Sequence, residues 1–204
     1  MVIYRPHTDL EFPEFILADC RAFGTYVGDD GYCSTTLDYL KKSRPADNSV
    51  VAIDDGTIVG TSAWINSSIS LPNAALIECG LICFVSVDVN HRRQGILTEM
   101  MKHLLLKLDK QPAPLVALWA SESNIYGRFG FGVATEEEHI SFNRLLVSLL
   151  DCNYVANANF LDTAEVVDVA KSLWTYNQCL RPGLPSLSES MWGLYLHKSS
   201  VKKG

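Results

Sequence analysis

Two stretches of the chain bring together residue types that could do chemistry. Residues 85–98 (VSVDVNHRRQGILT) run from an apolar, strand-like segment straight into Arg, Gln and Gly, and then into an apolar helical repeat. A loop of this kind leaves unpaired backbone N–H groups at the positive end of a helix dipole, where a phosphate or pyrophosphate can sit. Arg92 and Arg93 would add charge-assisted contacts, and Gly95 would let the main chain approach closely. The same letters also fit a basic turn that happens to contain a glycine. No G-K-[ST] follows, so this is not a Walker A loop, and one glycine does not make the dinucleotide fingerprint. Residues 115–132 (LVALWASESNIYGRFGFG) close a strand in Ser121-Glu122-Ser123 and then interleave Tyr126, Arg128, Phe129 and Phe131 with glycines. Tyr126 offers a hydroxyl as a proton donor near the strand end. Phe129 and Phe131 read as an aromatic plug on the sheet.

The rest of the composition narrows the chemistry. Six cysteines form no C-x-x-C pair, and Cys79 and Cys83 on one strand would stand about 13 Å apart. They read as buried thiols of a reducing compartment. Five scattered histidines show no ligand spacing, so no metal is expected. Seventeen Lys and Arg against 23 Asp and Glu give a net charge of −6 in 204 residues. That balance speaks against a nucleic-acid partner and suits a cationic one. The start, MVIYRPHTDLEF, lacks an apolar h-region, and no run approaches roughly 18 apolar residues. No signal peptide and no membrane span are expected, and the chain reads as cytoplasmic.

The elements that must position these residues follow from periodicity. Residues 2–5 read as a short strand. Thr8 and Glu11 form a capping-box pattern ahead of a helix carrying Phe12, Phe15, Ile16, Cys20 and Phe23, with Pro13 in its first turn. Residues 34–42 read as a second helix stopped by Pro45. Residues 50–53 and 58–65 are strands joined by the Asp55-Gly56 turn. Residues 76–89 form a long strand buried on both faces, with a bulge or bend at Gly80. A helix after Gly95 shows Leu97, Met101, Leu104, Leu105 and Leu108 on its apolar face. Residues 115–120 are another strand, 123–129 a short helix or turn, and 133–143 a last strand. This is a mixed α/β domain over 1–145. In 146–204, Asp162 and Glu165 cap a helix with Val166, Val169, Ala170, Leu173 and Trp174 on one face. Arg181-Pro182-Gly183 breaks that helix, and a short apolar piece follows at 191–196.

The strand, loop and helix around R-x-x-G resemble motif A of the GCN5-related N-acetyltransferase (GNAT) superfamily. Taken together, FVSVDVNHRRQGIL and ALWASESNIYGRFGFG resemble the first domain of the Eis-like (enhanced intracellular survival) acetyltransferases. Leu97 stands where many superfamily members have Gly or Ala, though Leu is usual in the Eis-like subgroup. The resemblance implies a GNAT acyl-CoA acyltransferase fold: an α/β, mostly antiparallel mixed sheet, flanked by helices, with a splayed parallel pair at the cofactor. It implies acetyl-coenzyme A as co-substrate and an amine acceptor, either an aminoglycoside-like polyamine or a lysine side chain. The main chain of Val85, Ser86 and Val87 would pair with the pantetheine arm, and Arg92 would lie at the phosphates. The amides of Arg93, Gln94, Gly95, Ile96, Leu97 and Thr98 would surround the pyrophosphate. Ser121 and Glu122 would lie beside the cofactor, and Tyr126 would protonate the departing thiolate. A homo-oligomer is also implied.

One departure from the family is expected. Its general base is the carboxylate of a carboxyl terminus two domains further on, and Gly204 does not match it. The sequence therefore reads as a first domain followed by the helical start of a second, over 146–204. Glu122, near the cofactor strand, is a candidate substitute base; the same carboxylate also fits a structural role. The apolar tail (Trp174, Leu184, Leu187, Met191, Trp192, Leu194, Tyr195) would fold back, pair with another chain or stay exposed. The alternative function is a non-catalytic acyl-coenzyme A-binding module or an inactive fragment. A hydroxyl acceptor activated by His91 is a third reading.

Overall fold

The structure, a computed structural model, describes residues 1–25, 34–136, 140, 141, 143 and 161–201. Five strands lie side by side in chain order: β1 (Ile3–Arg5), β2 (Ser49–Asp54), β3 (Thr57–Ser70), β4 (Leu76–Val87) and β5 (Leu115–Leu118). Strands β1 to β4 are antiparallel neighbours and β4–β5 is a parallel pair, the mixed sheet expected. The β2–β3 hairpin turns at Asp55 and Gly56, both left-handed (φ 44° and 77°), which matches the twist of the flanking strands.

Side chains alternate across the sheet, so β2 sends Val50 and Ala52 to one face and Val51 and Ile53 to the other. On the first face lies α3 (Ile96–Leu108), with Met100, Met101 and Leu104 wholly buried over Trp64 and Ile82. The second face is covered by α1 (Phe12–Ala22), α2 (Ser34–Ser43) and α5 (Glu189–Val201), whose Phe12, Phe15, Ile16, Leu40 and Leu194 share one cluster. The capping box forms ahead of α1. Thr8 N–H donates to the Glu11 carboxylate (2.8 Å), and Glu11 N–H to Thr8 Oγ1 (3.3 Å).

Two expectations need correction. The β3–β4 register runs unbroken through Gly80, which faces Asn66. The irregularity lies further on, where Phe84 and Val85 together oppose Ser62 and Phe84 is left-handed (φ 52°). Gly80 serves another purpose: a Cβ there would stand 2.5 Å from Leu108 Cδ2, so its absence lets α3 close on β4. The strand expected over 133–143 is not formed at residues 133–136, 140, 141 or 143, and its remaining residues lie outside those described. The apolar piece at 191–196 is part of the longer helix α5.

Helix α4 (Thr163–Leu180) starts at the expected capping box, with Glu165 N–H donating to Asp162 Oδ1 (2.8 Å) and Asp162 N–H to Glu165 Oε2 (3.1 Å). After the break at residues 181–183 the chain returns along the end of β3. Gly183 N–H donates to Ser70 O and Ser186 N–H to Ser68 O, each at 2.8 Å. Met191 and Leu194 are buried, so this part of the apolar tail folds back. Val166, Val169 and Leu173 of α4 stay exposed.

Candidate functional site

Pairing between β4 and β5 ends at Ile82 and Leu118. Strand β4 continues to Val87, so the edge of residues 83–87 that would face β5 has no strand beside it among the described residues. The bulge at Phe84 twists this stretch further. A cleft of about 890 Å³ opens there. Val85, Ser86 and Val87 line it from β4, and Arg92, Arg93, Gly95, Ile96, Leu97 and Thr98 from the loop and the start of α3. Ser121, Glu122 and Tyr126 close it from the segment after β5. Every residue expected to bind the cofactor or to act in catalysis therefore lines this cleft except Gln94, which is exposed and donates from Nε2 to Asn90 O (3.1 Å).

The loop is shaped for an anion. Arg93 and Gly95 are both left-handed (φ 62° and 84°), and among the described residues no side chain caps α3. The first amides of α3 thus remain without an intrahelical partner at the cleft wall. Arg92 is partly committed: its guanidinium donates to Ala22 O (3.2 Å) and Val87 O (3.4 Å), bracing the end of α1 against β4. Arg93 makes no hydrogen bond or ion pair among the described residues. This donor set, cationic and rich in amides, fits a pyrophosphate.

Tyr126 is nearly buried, at 9% exposure, with its ring in the core beneath α3 and edge-on to Phe131 at 6.0 Å. Its carbonyl accepts from Phe129 N–H (2.9 Å) and Phe131 N–H (3.4 Å), which fixes the backbone around it. Burial, then the charge of Glu122, raises the phenol above its ordinary 10.0. The hydroxyl is therefore protonated at neutral pH, and it makes no hydrogen bond among the described residues. Phe129 and Phe131 pack against the same core, as the aromatic-plug reading expects.

Ala22, Phe23, Ile125 and Arg128 also line the cleft, and none of them was expected from the sequence to bind the cofactor or to act in catalysis. Tertiary packing brings the end of α1 here, and no local pattern signals it. His91 lines the cleft too, but its ring nitrogens face carboxylates: Nδ1 lies 3.1 Å from Asp88 Oδ1 and Nε2 lies 3.8 Å from Asp54 Oδ2. This leaves neither nitrogen turned to an acceptor hydroxyl. Among the described residues no group of three His, Cys, Asp or Glu could hold a metal, and no helix is long and apolar enough to cross a membrane.

Parallel strands that splay over the start of α3 thus leave a cleft with an anion-ready loop on its wall. A family profile described as an acetyltransferase (GNAT) domain matches residues 3–134, and the chain belongs to this family. An uncharacterized N-acetyltransferase of Streptomyces avermitilis is 32% identical over 142 residues, 69% of this chain and 35% of that protein. The N-acetyltransferase Eis of Mycobacterium tuberculosis is 29% identical over 141 residues, 67% of this chain and 34% of Eis. The crystal structure of Eis1 from Mycobacterium abscessus superposes with a TM-score of 0.69 at 18% identity, over 100% of this chain and 49% of that one. The chain spans about a third of the length of the curated relatives it matches.

Proposed function

We propose that this chain transfers an acetyl group from acetyl-coenzyme A to an amine, by direct attack, with Tyr126 as general acid. The observation that carries this reading is the cleft at the β4–β5 splay, where an anion-ready loop and a buried phenol share one cavity. When bound, acetyl-coenzyme A supplies the acetyl group activated as a thioester. The open edge of Val85, Ser86 and Val87 holds the pantetheine arm as an added strand would be held. The amides from Gly95 to Thr98, with Arg92 and Arg93, would hold the pyrophosphate, and Ser121 and Glu122 would lie beside the cofactor where β4 and β5 splay apart. An alkylammonium, with a pKa near about 10.4, must lose a proton before attack, and the departing thiol has a pKa near about 8.5. Tyr126 supplies the proton to the sulfur. The net charge of −6 favours a cationic acceptor, an aminoglycoside-like polyamine or a lysine side chain.

The test is coenzyme A release, read with a thiol reagent, from acetyl-coenzyme A and a panel of polyamines and lysine peptides. Amine-dependent release is expected. Binding that protects the fold from heat without any release would instead favour a non-catalytic acyl-coenzyme A module. Arg93→Ala is expected to weaken acetyl-coenzyme A binding about tenfold, the size of one lost charge-assisted contact. The loss should shrink as salt is added, since Arg93 is exposed. Calorimetric titration at two ionic strengths measures both.

A further inference from the structure

Asp19 on α1 is 8% exposed and points at the sheet rather than at solvent. Its near neighbours are hydroxyls. Thr61 Oγ1 lies 3.5 Å from Asp19 Oδ1, and the Ser86 hydroxyl is near enough to favour the ionised carboxyl. Thr61 Oγ1 and Ser86 Oγ are 2.7 Å apart. The Thr61 hydroxyl donates to Phe84 O at 2.8 Å, the carbonyl of the β4 bulge. With that proton committed, the Ser86 proton is left to point at Thr61 or at Asp19. Ser86 also lines the cleft. A residue of the cleft wall is thus backed by a carboxyl buried behind it.

The charges facing Asp19 do not neutralise it by contact. Arg44 acts on it from a distance, because its guanidinium lies over the Phe84 ring (4.7 Å) and donates from Nε to Cys83 Sγ (3.4 Å). From β4, Cys83 is the remaining titratable neighbour, its thiol pushed up by burial. Arg21 and Asp88 line a cavity of about 10 Å³ next to Ser86. Burial raises the Asp19 carboxyl to about 6, with the Ser86 and Thr61 hydrogen bonds and Arg44 opposing. A carboxylate held this way is unfavourable for folding, and a neutral side chain of the same size would fill the site without that cost.

We propose that Asp19, acting through Ser86, takes the proton that the acceptor ammonium must lose before it attacks; this rests on reading the cleft as an acetyl-transfer site. Ser86 Oγ accepts the ammonium proton as its own proton passes to Asp19. The neutral nitrogen forms the C–N bond at the thioester carbonyl carbon, and the C–S bond breaks. The sulfur leaves with its electron pair and takes the Tyr126 proton. The second amine proton restores Tyr126, and Asp19 gives the first to solvent. Ammonium and thioester become amide, thiol and one proton.

The test is the pH profile of kcat/KM for wild type, Asp19→Asn, Ser86→Ala and the double variant, with thermal melting as the folding control. Wild type is expected to rise through about pH 6 and then stay level toward the amine's own pKa, because ammonium is the form the enzyme accepts. Asp19→Asn is expected to lose about 100-fold at pH 7. Its rate should then climb tenfold per pH unit, because only amine already deprotonated in solution can react. Ser86→Ala should show the same slope, and the double variant should be no worse than Asp19→Asn. An Asp19→Asn profile parallel to wild type, or unchanged, overturns the proposal. If wild type shows no amine-dependent release at any pH, the acetyl-transfer reading itself fails and the proposal falls with it.

Discussion

Tyr126→Phe is expected to lower amine-dependent coenzyme A release about a thousandfold while leaving acetyl-coenzyme A affinity within about twofold of wild type. The substitution removes one oxygen and little else. Phenylalanine keeps the ring in the core beneath α3 and its edge contact with Phe131. No hydrogen bond among the described residues is lost, so the melting temperature should not fall. What disappears, on the proposed mechanism, is the proton for the leaving sulfur. A thiolate can leave unassisted, which is why the loss stays inside the range for general-acid catalysis. Steady-state thiol release and thermal shift with acetyl-coenzyme A separate the two effects. A variant that works within about threefold of wild type would reduce Tyr126 to a packing residue.

Phe15→Ala is expected to cost about 3–5 kcal/mol of stability, the usual result of deleting a wholly buried aromatic ring. For a chain of this length, that lowers the melting temperature by about 6–20 °C. Phe15 ties α1 to the sheet through rings on three sides: His7 at 4.8 Å, Phe12 at 6.1 Å and Phe84 at 5.7 Å between centroids. Phe84 is the bulge residue, and Asp19 lies one helical turn beyond Phe15 on the same face. The cavity left by alanine therefore loosens the cleft's β4 wall as well as the core. Phe15→Leu, which keeps most of the volume, should cost less than about 1.5 kcal/mol. Chemical denaturation of the three proteins checks the order.

Much of the cleft was legible because its parts are local in the chain. The change from strand to helix periodicity around Arg92-Arg93-Gln94-Gly95 marks both the wall and the anion loop. The string around Tyr126 carries the phenol a few residues past a strand end. What escaped depends on contacts between distant residues. Gly80 looks like a bulge from its letter, but its cause is the Leu108 side chain 28 positions away. Phe84 gives no sign of its left-handed backbone, because a bulky residue is not expected there. Phe23, placed on the apolar face of α1, is 54% exposed and lines the cleft instead. Asp19 did leave a trace: it stands four residues after Phe15 and three after Ile16, a carboxyl on an otherwise apolar stripe.

That buried carboxyl also makes the fold answer to acidity. Its ordinary value is 3.8 and its folded value about 6, so between those limits the folded chain keeps a proton that the unfolded chain has released. Stability falls as pH rises through this window and levels off above it. At about 1.4 kcal/mol for each tenfold change in proton affinity, the drop comes to about 3 kcal/mol. Asp19→Asn should remove that slope and melt higher than wild type at pH 7. At pH 5 the protein would keep longer and, on the proposed proton path, turn over more slowly than in a neutral buffer.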